Sequence, residues 1–448
     1  MRIRDRFVCV SSAAMILICA AAGSYAQNAS TSGMVPKSRR KAPVDITTVR
    51  PFSVDTILSV KPPKLSAGAG ARLLTGPIAD AATTTGTGGN ISGLVTVPTF
   101  VGAFAAENGP SAGTVFPFIM MGNDPLVGGT TTLPARVTEV SWTLLNADGS
   151  TFMTVPFSKT FDGIMTHSPN YAKFLYDSSS VPTQFADSVQ RAEFFHTAKS
   201  SWHTELGAPT IVNHATLTVP YYVNVELSDG TIVQARSYFT GTASDGNTFV
   251  LMLDLLFNFF YDNQVVTDIN AGNFTTGALN QDWFPNTYLF SINTSNPNAP
   301  GGCCTLGFHT YFVDGSIPQS RWVTLFASYI SPGLFGAGFQ DVTTMSHEIS
   351  ESFNDPFLSN ATPNWQFPGQ PSSSTACQSN LETGDPVEVL ADATVSITLP
   401  EGKSSFTFHP QTEALLQWFE MGGSSNAVDG AFSYPNESVL TQSAIPCP

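Results

Sequence analysis

Charged side chains are scarce in this sequence. Asp, Glu, Lys and Arg make up only 12% of its 448 residues, against about a quarter in an average globular chain. Basic residues are the scarcer kind, with 19 Lys and Arg against 34 Asp and Glu, so the formal net charge is −15. Nucleic acids and anionic membrane surfaces are bound through basic patches. The charge balance therefore argues against both of them as partners.

Long apolar runs are also missing beyond the N-terminus. The apolar stretch from Phe249 to Tyr261 is too short to span a bilayer and contains Asp254, so we expect it to be a buried element. The first residues differ, because three arginines precede a short apolar stretch and small residues end it at Ala26. This pattern predicts a signal peptide over residues 1–26 and a secreted or periplasmic protein, without a membrane contact after cleavage. An uncleaved membrane anchor is the alternative.

Cysteine is rare as well, and no C-x-x-C spacing indicates a cysteine-based zinc site. Two of the six cysteines lie in the predicted signal, which leaves Cys303, Cys304, Cys377 and Cys447. Four cysteines in an exported protein predict two disulfides among three possible pairings. Because neighbouring residues seldom reach disulfide geometry, we expect Cys303 and Cys304 each to pair with one of the two distant cysteines.

Composition divides the rest of the chain into three stretches. Residues 27–88 are rich in Ala, Thr, Pro and Gly, which is typical of a flexible linker. Residues 89–245 are dominated by strand patterns and are expected to form a β-rich region. Residues 246–448 mix helix signals with long loops and contain all four remaining cysteines, so we expect disulfide-tied loops there.

Two turn signals and one helix candidate lie in the β-rich region. The dipeptides Asp148-Gly149 and Asp229-Gly230 each separate two strand-like runs and predict hairpins. Apolar residues at helical spacing predict a helix within 182–200. His196 and His203 could meet on one face of that helix and hold a metal, although nothing nearby completes a ligand set. Histidines that are satisfied in or near a core are the simpler interpretation.

The string TTMSHEISESFNDP, residues 343–356, contains the pattern His-Glu-x-x-Glu. Asp341 can cap a helix, and Asp355-Pro356 can end it, which predicts a helical body over 342–353. At about 100° per residue, one face of this helix is an apolar stripe. The stripe consists of Val342, Met345, Ile349 and Phe353.

The opposite face of the predicted helix has the layout of a metal site. His347 and Glu351 lie one turn apart and point the same way, with Glu348 beside them. Zinc hydrolases use His-Glu-x-x-His in this way, with two ligands one turn apart and a glutamate that acts on water. Because a carboxylate can replace an imidazole on zinc, we predict His347 and Glu351 as ligands and Glu348 as general base. An acidic surface helix that contains His347 by chance is the alternative.

A further ligand must come from elsewhere in the chain. The segment LETGDP offers Glu382 and Asp385, of which one could bind the metal and the other could orient His347. His409 is a third candidate. A ligand set with two carboxylates makes a metal ion a weaker Lewis acid and admits Mn²⁺, Fe²⁺ or Ca²⁺ besides Zn²⁺. Metal binding, with zinc as the first candidate, is therefore expected more firmly than fast hydrolysis.

Several strings, taken in order along the chain, resemble a family of secreted bacterial proteins. The family has a His-Glu-x-x-Glu helix followed by Asp-Pro and a Leu-Glu-x-Gly-Asp-Pro segment, and it is distantly similar to the plant phosphate-induced, exordium-type proteins. The matching strings are CCTLGFHTYF (303–312), SHEISESFNDPF (346–357), ATPNW (361–365), LETGDP (381–386) and FHPQTEALLQWF (408–419).

The resemblance implies a zincin-like metallohydrolase with His347 and Glu351 as ligands, Glu348 as general base and the Glu382–Asp385 segment completing the site. It also suggests that His309 or His409 lines the cleft, although a purely structural hydrogen-bonding role is the simpler interpretation for both. The second histidine of the zincin pattern is missing, and so is a downstream ligand at a recognised spacing. Both departures weaken the expectation of peptidase activity.

These observations together predict an α+β protein. A β-rich N-terminal region would precede a zincin-like metal-binding region with a central His-Glu-x-x-Glu helix and long disulfide-tied loops. Its expected function is that of a secreted metal-dependent hydrolase, similar to a metallopeptidase, with an extracellular protein or peptide as substrate. A non-catalytic extracellular binding or adhesion protein of the exordium type, with a structural metal or none, is the alternative.

A third interpretation, carbohydrate binding or hydrolysis, depends on Trp142, Trp202 and Trp365 being exposed, and such residues more often belong to a core.

Overall fold

The computed structural model describes residues 41–45, 94–176, 181–227, 231–335, 338–369, 377–401 and 404–447. The predicted signal peptide and most of the predicted linker lie outside these ranges. The Asp229-Gly230 turn does too, although the strands on either side of it are described and pair with each other in antiparallel fashion.

The strands are β1 (Val44–Asp45), β2 (Thr99–Ala105), β3 (Val115–Met121), β4 (Thr130–Leu133), β5 (Ala135–Leu145), β6 (Thr151–Val155), β7 (His203–Leu206), β8 (Thr210–Val219), β9 (Tyr222–Glu226), β10 (Ile232–Arg236), β11 (Tyr238–Thr242), β12 (Thr248–Leu253), β13 (Leu279–Pro285), β14 (Thr287–Ile292), β15 (Pro300–Thr305), β16 (Gly307–Asp314), β17 (Ile317–Tyr329), β18 (Ala361–Gln366), β19 (Cys377–Asn380), β20 (Ile397–Glu401), β21 (Ser404–Phe408), β22 (Glu413–Ala414) and β23 (Ser433–Tyr434). The helices are α1 (Lys159–Thr166), α2 (Phe185–Glu193), α3 (Asp254–Asn270), α4 (Thr343–Asn354) and α5 (Leu416–Phe419), with a 3₁₀ turn at Val428–Gly430.

Strands dominate the described part of the chain, with 41% of its residues against 16% in helices. The expected α+β fold with a zincin-like C-terminal region is therefore wrong, and the chain is mostly β. The error arose in residues 246–448, where glycine- and proline-rich runs were taken for loops. The run PGGCCT is an example, since it forms β15 and pairs with β14. Neighbouring strands stabilise such a segment even where its own residues have little strand propensity.

The largest sheet has seven strands and mixed directions. Its order is β1-β16-β17-β13-β5-β6, and β8 also pairs with β5. β13 lies between β17 and β5 and is parallel to both. Strands from both sides of residue 245 thus share one sheet. The predicted hairpin at Asp148-Gly149 is confirmed, because β5 and β6 pair in antiparallel fashion around it.

Helices cover both faces of this sheet. On one face, α3 packs its aromatic side chains against Trp142 and Phe326. On the other face, α1, α2 and α4 share an apolar cluster with Val137 and Leu325 of the sheet. The predicted stripe of α4 is confirmed, since Val342, Met345, Ile349 and Phe353 are all fully buried in that cluster.

The apolar stretch Phe249 to Tyr261 is a buried element, as expected. It spans most of β12 and the first half of α3, and Asp254 is the first residue of that helix. Among the described residues, no helix is long and apolar enough to cross a membrane. Trp142, Trp202 and Trp365 are fully buried, which removes the basis of the carbohydrate interpretation.

Five residues of the predicted linker are described, and they pack on the sheet. Val44 and Asp45 pair with Phe312 and Val313 of β16 as a short parallel strand. Lys41 lies against α3, where its ammonium group is 2.6 Å from the carboxylate of Asp262. This part of the chain therefore adds an edge to the seven-stranded sheet.

The cysteine pairing differs from the expectation. Cys377 is bonded to Cys447, and Cys303 is bonded to its neighbour Cys304. Strand pairing accounts for the observed disulfide pairing. Cys377 pairs with β18, and the backbone of Cys447 donates to Asn364 of the same strand, which brings these two cysteines together. Cys303 belongs instead to β15, where it pairs with Phe290 of β14.

Candidate metal centre

Helix α4 carries the His-Glu-x-x-Glu residues into the interior. All twelve of its residues are buried, and the side chains of His347 and Glu351 are only 10% and 3% exposed. Its apolar stripe packs among α1, α2 and the sheet, while its polar face turns towards β16 and the chain after β19. The alternative of an acidic surface helix is therefore wrong. Ionisable groups at this depth need partners, because burying an unpaired charge is costly.

His347 and Glu351 lie in contact, as their spacing predicts. The Nε2 atom of His347 is 3.1 Å from Oε1 of Glu351. Asp385 approaches the same nitrogen, with its Oδ1 atom at 3.7 Å. These three residues thus converge from the helix and from the LETGDP segment. That segment is the one predicted from the sequence to supply a further ligand.

A second imidazole reaches the cluster from the sheet. His309 lies on β16, opposite Leu325 of β17, and it is 3% exposed. Its Nδ1 atom is 3.3 Å from Oε2 of Glu351 and 3.6 Å from Oε2 of Glu348. Its Nε2 atom is 3.2 Å from the carbonyl oxygen of Asp355 and 3.9 Å from Oε2 of Glu382. His309 therefore contacts the helix residues and is not merely at the edge of the site.

Two glycines allow this close assembly. Gly384 has no side chain where a Cβ atom would collide with the imidazole of His347, and its N–H donates to Oε1 of Glu351 at 3.1 Å. Gly307 precedes His309 by two residues on β16, and a Cβ atom there would collide with Thr344 and Glu348. Glycine at both positions lets the LETGDP segment and the sheet approach the polar face of α4.

Amide side chains hold the carboxylates of the LETGDP segment. Asn380 donates to Oε1 of Glu382 at 2.9 Å, and Gln378 donates to Oδ2 of Asp385 at 2.8 Å. Both amides lie on β19, directly before the segment. Each carboxylate therefore has one oxygen fixed by an amide, while the other oxygen faces an imidazole. Such supporting hydrogen bonds orient ligands in metal sites.

Two sets of three residues in this cluster could hold a metal ion. One consists of His347, Glu348 and Glu351, and the other of His309, Glu351 and Glu382. In each set the possible ligand atoms lie within 4.8 Å of one another. Imidazole nitrogen and carboxylate oxygen are the ligands used by Zn²⁺ and by Mn²⁺ or Fe²⁺. The donor types and their convergence thus fit a divalent cation.

The imidazoles and Glu351 stabilise one another electrostatically. Burial alone would lower the pKa of both histidines, but the surrounding carboxylates raise the pKa of His309 and of His347 well above the ordinary value. Burial alone would raise the pKa of Glu351, yet the two imidazoles hold it below its ordinary value. Without a metal, positive charge in this cluster resides on the imidazoles.

The other carboxylates of the cluster are not fully compensated. Burial raises the pKa of Glu348 to about 7 and that of Glu388 to about 8. Burial, together with the charge of Glu351, raises the pKa of Asp385 and Glu413 well above the ordinary value. Among the residues that the structure describes, Glu348 Oε2, Glu388 Oε1 and Glu413 Oε1 are buried without a hydrogen-bond partner. A raised pKa means that a carboxyl group keeps its proton more readily, so without a cation burial favours the protonated form of these groups, and a bound cation would replace their protons.

The remaining histidine candidates lie elsewhere. The Nδ1 atom of His409 is 2.7 Å from Oδ2 of Asp341, and His409 is not part of the cluster around Glu351. Asp341 does not cap α4 as predicted, since the residue at the cap position is Val342. Asp341 instead accepts from the backbone N–H groups of Val342 and His409.

The possible pair of His196 and His203 does not form, in line with the simpler interpretation of these histidines. His196 is exposed and follows the end of α2. His203 lies on β7, where its Nδ1 atom is 2.7 Å from Oδ2 of Asp187. Asp187, His203 and Glu205 form a third set with ligand atoms in reach of one another. Lys173 already lies 2.6 Å from Glu205, so this set has an internal cation.

Sequence reasoning missed Glu388 and Glu413. Glu413 is fully buried on β22, and Thr383 donates to its Oε2 atom at 3.0 Å. Glu388 follows Asp385 by three residues and could have been added to the LETGDP segment on spacing alone. Nothing in the residues around Glu413 indicates a position beside α4, because only the tertiary fold brings β22 there.

The chain matches no protein-family model, no curated protein and no solved structure.

Proposed function

We propose that the protein is a metal-dependent hydrolase in which the cluster around Glu351 binds a divalent cation and Glu348 acts as general base. The observation that supports this most is the convergence of His347 and His309 on the two oxygens of Glu351, in a buried pocket with further carboxylates. Without a cation, burial favours the protonated form of these further carboxyl groups, and a bound positive charge would replace their protons. A dication is the compact group that would supply it.

His347 and Glu351 would hold the cation, and Asp385, whose Oδ1 atom is 3.7 Å from Nε2 of His347, is a candidate for a further ligand. A bound dication supplies Lewis acidity, which polarises a substrate carbonyl. Glu348 is placed for proton transfer, because it follows His347 directly and its Oε2 atom has no hydrogen-bond partner in the described part of the chain. It would accept a proton from the attacking water and deliver it to the leaving group. The substrate we propose is an extracellular protein or peptide, with zinc as the first cation to test.

Export of the protein belongs to the same proposal. The Cys377–Cys447 disulfide is the kind of bond that persists in oxidising compartments. Together with the signal-like N-terminus, it supports a secreted or periplasmic location. The resemblance of the sequence to secreted proteins with a His-Glu-x-x-Glu helix also predicts secretion, and it remains a prediction.

The depth of the site favours a second candidate, a cation that stabilises the fold without catalysis. The side chains of His309, His347, Glu348 and Glu351 are all 10% exposed or less. A substrate needs a path to Glu348, whereas a structural ion needs none. A non-catalytic extracellular binding protein with a structural metal corresponds to this arrangement.

Peptide cleavage by the zinc-loaded protein separates the two candidates. Wild type should cleave members of a peptide library, as followed by mass spectrometry. Glu348→Gln should keep its zinc and lose cleavage by about 100-fold or more, the usual size of a general-base contribution. Glu193→Gln is the matched control, because Glu193 is another buried glutamate and its carboxylate accepts from Leu416 on α5.

Two results would contradict the hydrolase. Zinc-loaded wild type without cleavage of any peptide would favour the structural cation. Cleavage by Glu348→Gln at the wild-type rate would remove Glu348 from the mechanism. Absence of zinc in wild type after loading would contradict both candidates.

A further inference from the structure

Glu351 lies between two imidazoles that approach it from different elements. His347 comes from the preceding turn of α4 and faces Oε1 at 3.1 Å. His309 comes from β16 and faces Oε2 at 3.3 Å. Each oxygen of one carboxylate therefore has its own imidazole nitrogen. A single metal ion beside one of these oxygens would leave the other oxygen and its imidazole without a ligand role. If Glu351 bridges two ions, each oxygen binds one ion together with its own imidazole.

The contacts of His309 leave one nitrogen for a ligand role. Its Nε2 atom is 3.2 Å from the carbonyl oxygen of Asp355, so the proton on Nε2 can be donated there. Nδ1 lies 3.3 Å from Glu351 Oε2, and a cation that displaces the proton of Nδ1 would find its lone pair on the side of that oxygen. A hydrogen bond from the second ring nitrogen to a backbone carbonyl is the usual way in which a protein fixes the tautomer of a metal-binding histidine.

A charge count also favours two ions. Four carboxylates face the imidazoles within 4 Å, those of Glu348, Glu351, Glu382 and Asp385. Once bound cations have displaced the protons of the imidazoles and of these four carboxyl groups, two dications would balance the four carboxylates, whereas one dication would leave two of them uncompensated. Buried charge without a partner is strongly unfavourable.

One carboxylate oxygen beside the imidazoles also lacks a hydrogen-bond partner among the described residues. Glu348 is 4% exposed, and its Oε2 atom has no hydrogen-bond partner among the described residues. The nearest imidazole nitrogen is Nδ1 of His309, at 3.6 Å. Buried carboxylate oxygens are nearly always satisfied, so this atom points to a positive group that belongs between α4 and β16.

We infer that the pocket binds two divalent cations that share Glu351 as a bridging ligand. The first would be held by His347 and Glu351 Oε1. The second would be held by His309, Glu351 and Glu382, whose possible ligand atoms lie within 4.8 Å of one another. The inference rests on the proposed function and deepens it. It assigns the protein to the two-metal hydrolases, whose ions lie about 3.5–4 Å apart and clamp both the attacking and the leaving atom of the substrate.

Titration of the metal-free full-length protein with Mn²⁺, followed by electron paramagnetic resonance, tests the inference. Wild type should bind two Mn²⁺ per chain and give the closely spaced multiline signal of an exchange-coupled pair. Glu382→Gln and His309→Gln should each bind one Mn²⁺ and give an uncoupled signal. Two variants are used because either buried substitution could impair folding, which circular dichroism would reveal. His203→Gln is the control for the Asp187 set and should still bind two.

The outcomes separate this inference from the proposed function. One Mn²⁺ in wild type, with the count and signal unchanged in Glu382→Gln or His309→Gln, would overturn the second site and leave the one-cation hydrolase standing. Two uncoupled Mn²⁺ in wild type, falling to one in His203→Gln, would place the second ion at the Asp187 set and would also overturn the inference. No Mn²⁺ in wild type would contradict both proposals.

Discussion

Single residues decide how closely the parts of the candidate site approach one another. Gly384 contributes no side chain, and this lets its N–H reach Glu351 while the imidazole of His347 occupies the space that a Cβ atom would take. The amino-acid type at this position therefore matters for the metal site although glycine has no ligand atom. Gly307 has the same role on β16.

Gly384→Ala should destabilise the fold and weaken metal binding. The new methyl group would collide with the His347 imidazole, and overpacking of a buried site typically costs about 1–3 kcal/mol. Denaturant unfolding and zinc titration measure the two effects. Gly423→Ala is the control, because Gly423 is exposed and a Cβ atom there would meet nothing within 4 Å. Equal stability and affinity of the two variants would contradict the role assigned to Gly384.

Glu193 is expected to make stability depend on pH. Its carboxylate is buried, and burial raises its pKa to about 8 from the ordinary value of 4.5. The folded protein therefore holds this proton more tightly than the unfolded chain does. The contribution of this protonated carboxyl group to the free energy of unfolding is fully present below pH 4.5. It is lost as the pH rises towards 8, at about 1.4 kcal/mol per pH unit.

Glu193→Gln removes this titration. The free energy of unfolding of the variant, relative to wild type, should therefore rise between pH 5 and pH 8. Urea unfolding of both proteins at several pH values measures the difference. Parallel pH profiles would show that Glu193 titrates alike in the folded and unfolded chains.

At the scale of elements, the candidate site depends on pieces that are distant in sequence. Helix α4 was predictable because its apolar period and its His-Glu-x-x-Glu spacing are local properties of residues 342–353. The approach of His309 was not, because it depends on the register of β16 with β17 and on the packing of α4 against both. The position of Glu413 depends on the short β22–β23 pair, for which no local pattern exists.

The disulfide is predicted to hold one of these elements in place. The Cys377–Cys447 bond joins residues 70 apart in sequence, and Cys377 begins β19, which leads directly into Glu382 and Asp385. In the chain-entropy model, closing a loop of this length stabilises a fold by about 4 kcal/mol. The bond therefore links the stability of this region to the geometry of the ligands.

The double variant Cys377→Ser/Cys447→Ser should unfold at a lower denaturant concentration and bind zinc more weakly than wild type. The loss of stability should approach about 4 kcal/mol. Cys303→Ser/Cys304→Ser is the matched control, because a bond between neighbours closes no loop. Similar losses in both double variants would contradict the entropic account of the Cys377–Cys447 bond.

At the scale of the whole molecule, the fold class was the part that the sequence predicted least well. A His-Glu-x-x-Glu helix indicates a ligand arrangement, and a ligand arrangement recurs on unrelated folds. The seven-stranded sheet joins β5 and β8 to β13, β16 and β17 across the expected region boundary at residue 245. Such non-local pairing leaves little trace in any one stretch of sequence, which is why the strand-dominated architecture was mistaken for α+β.

The pocket between α4, β16 and the LETGDP segment must bind a divalent cation for either proposed function to hold. The most direct measurement is an anomalous difference map from a crystal of the zinc-loaded protein, collected at the zinc absorption edge. We expect a peak about 2.0–2.2 Å from the Nε2 atom of His347 and from a carboxylate oxygen of Glu351, the usual zinc distances. No peak in this pocket, or a peak only beside Asp187 and His203, would contradict it.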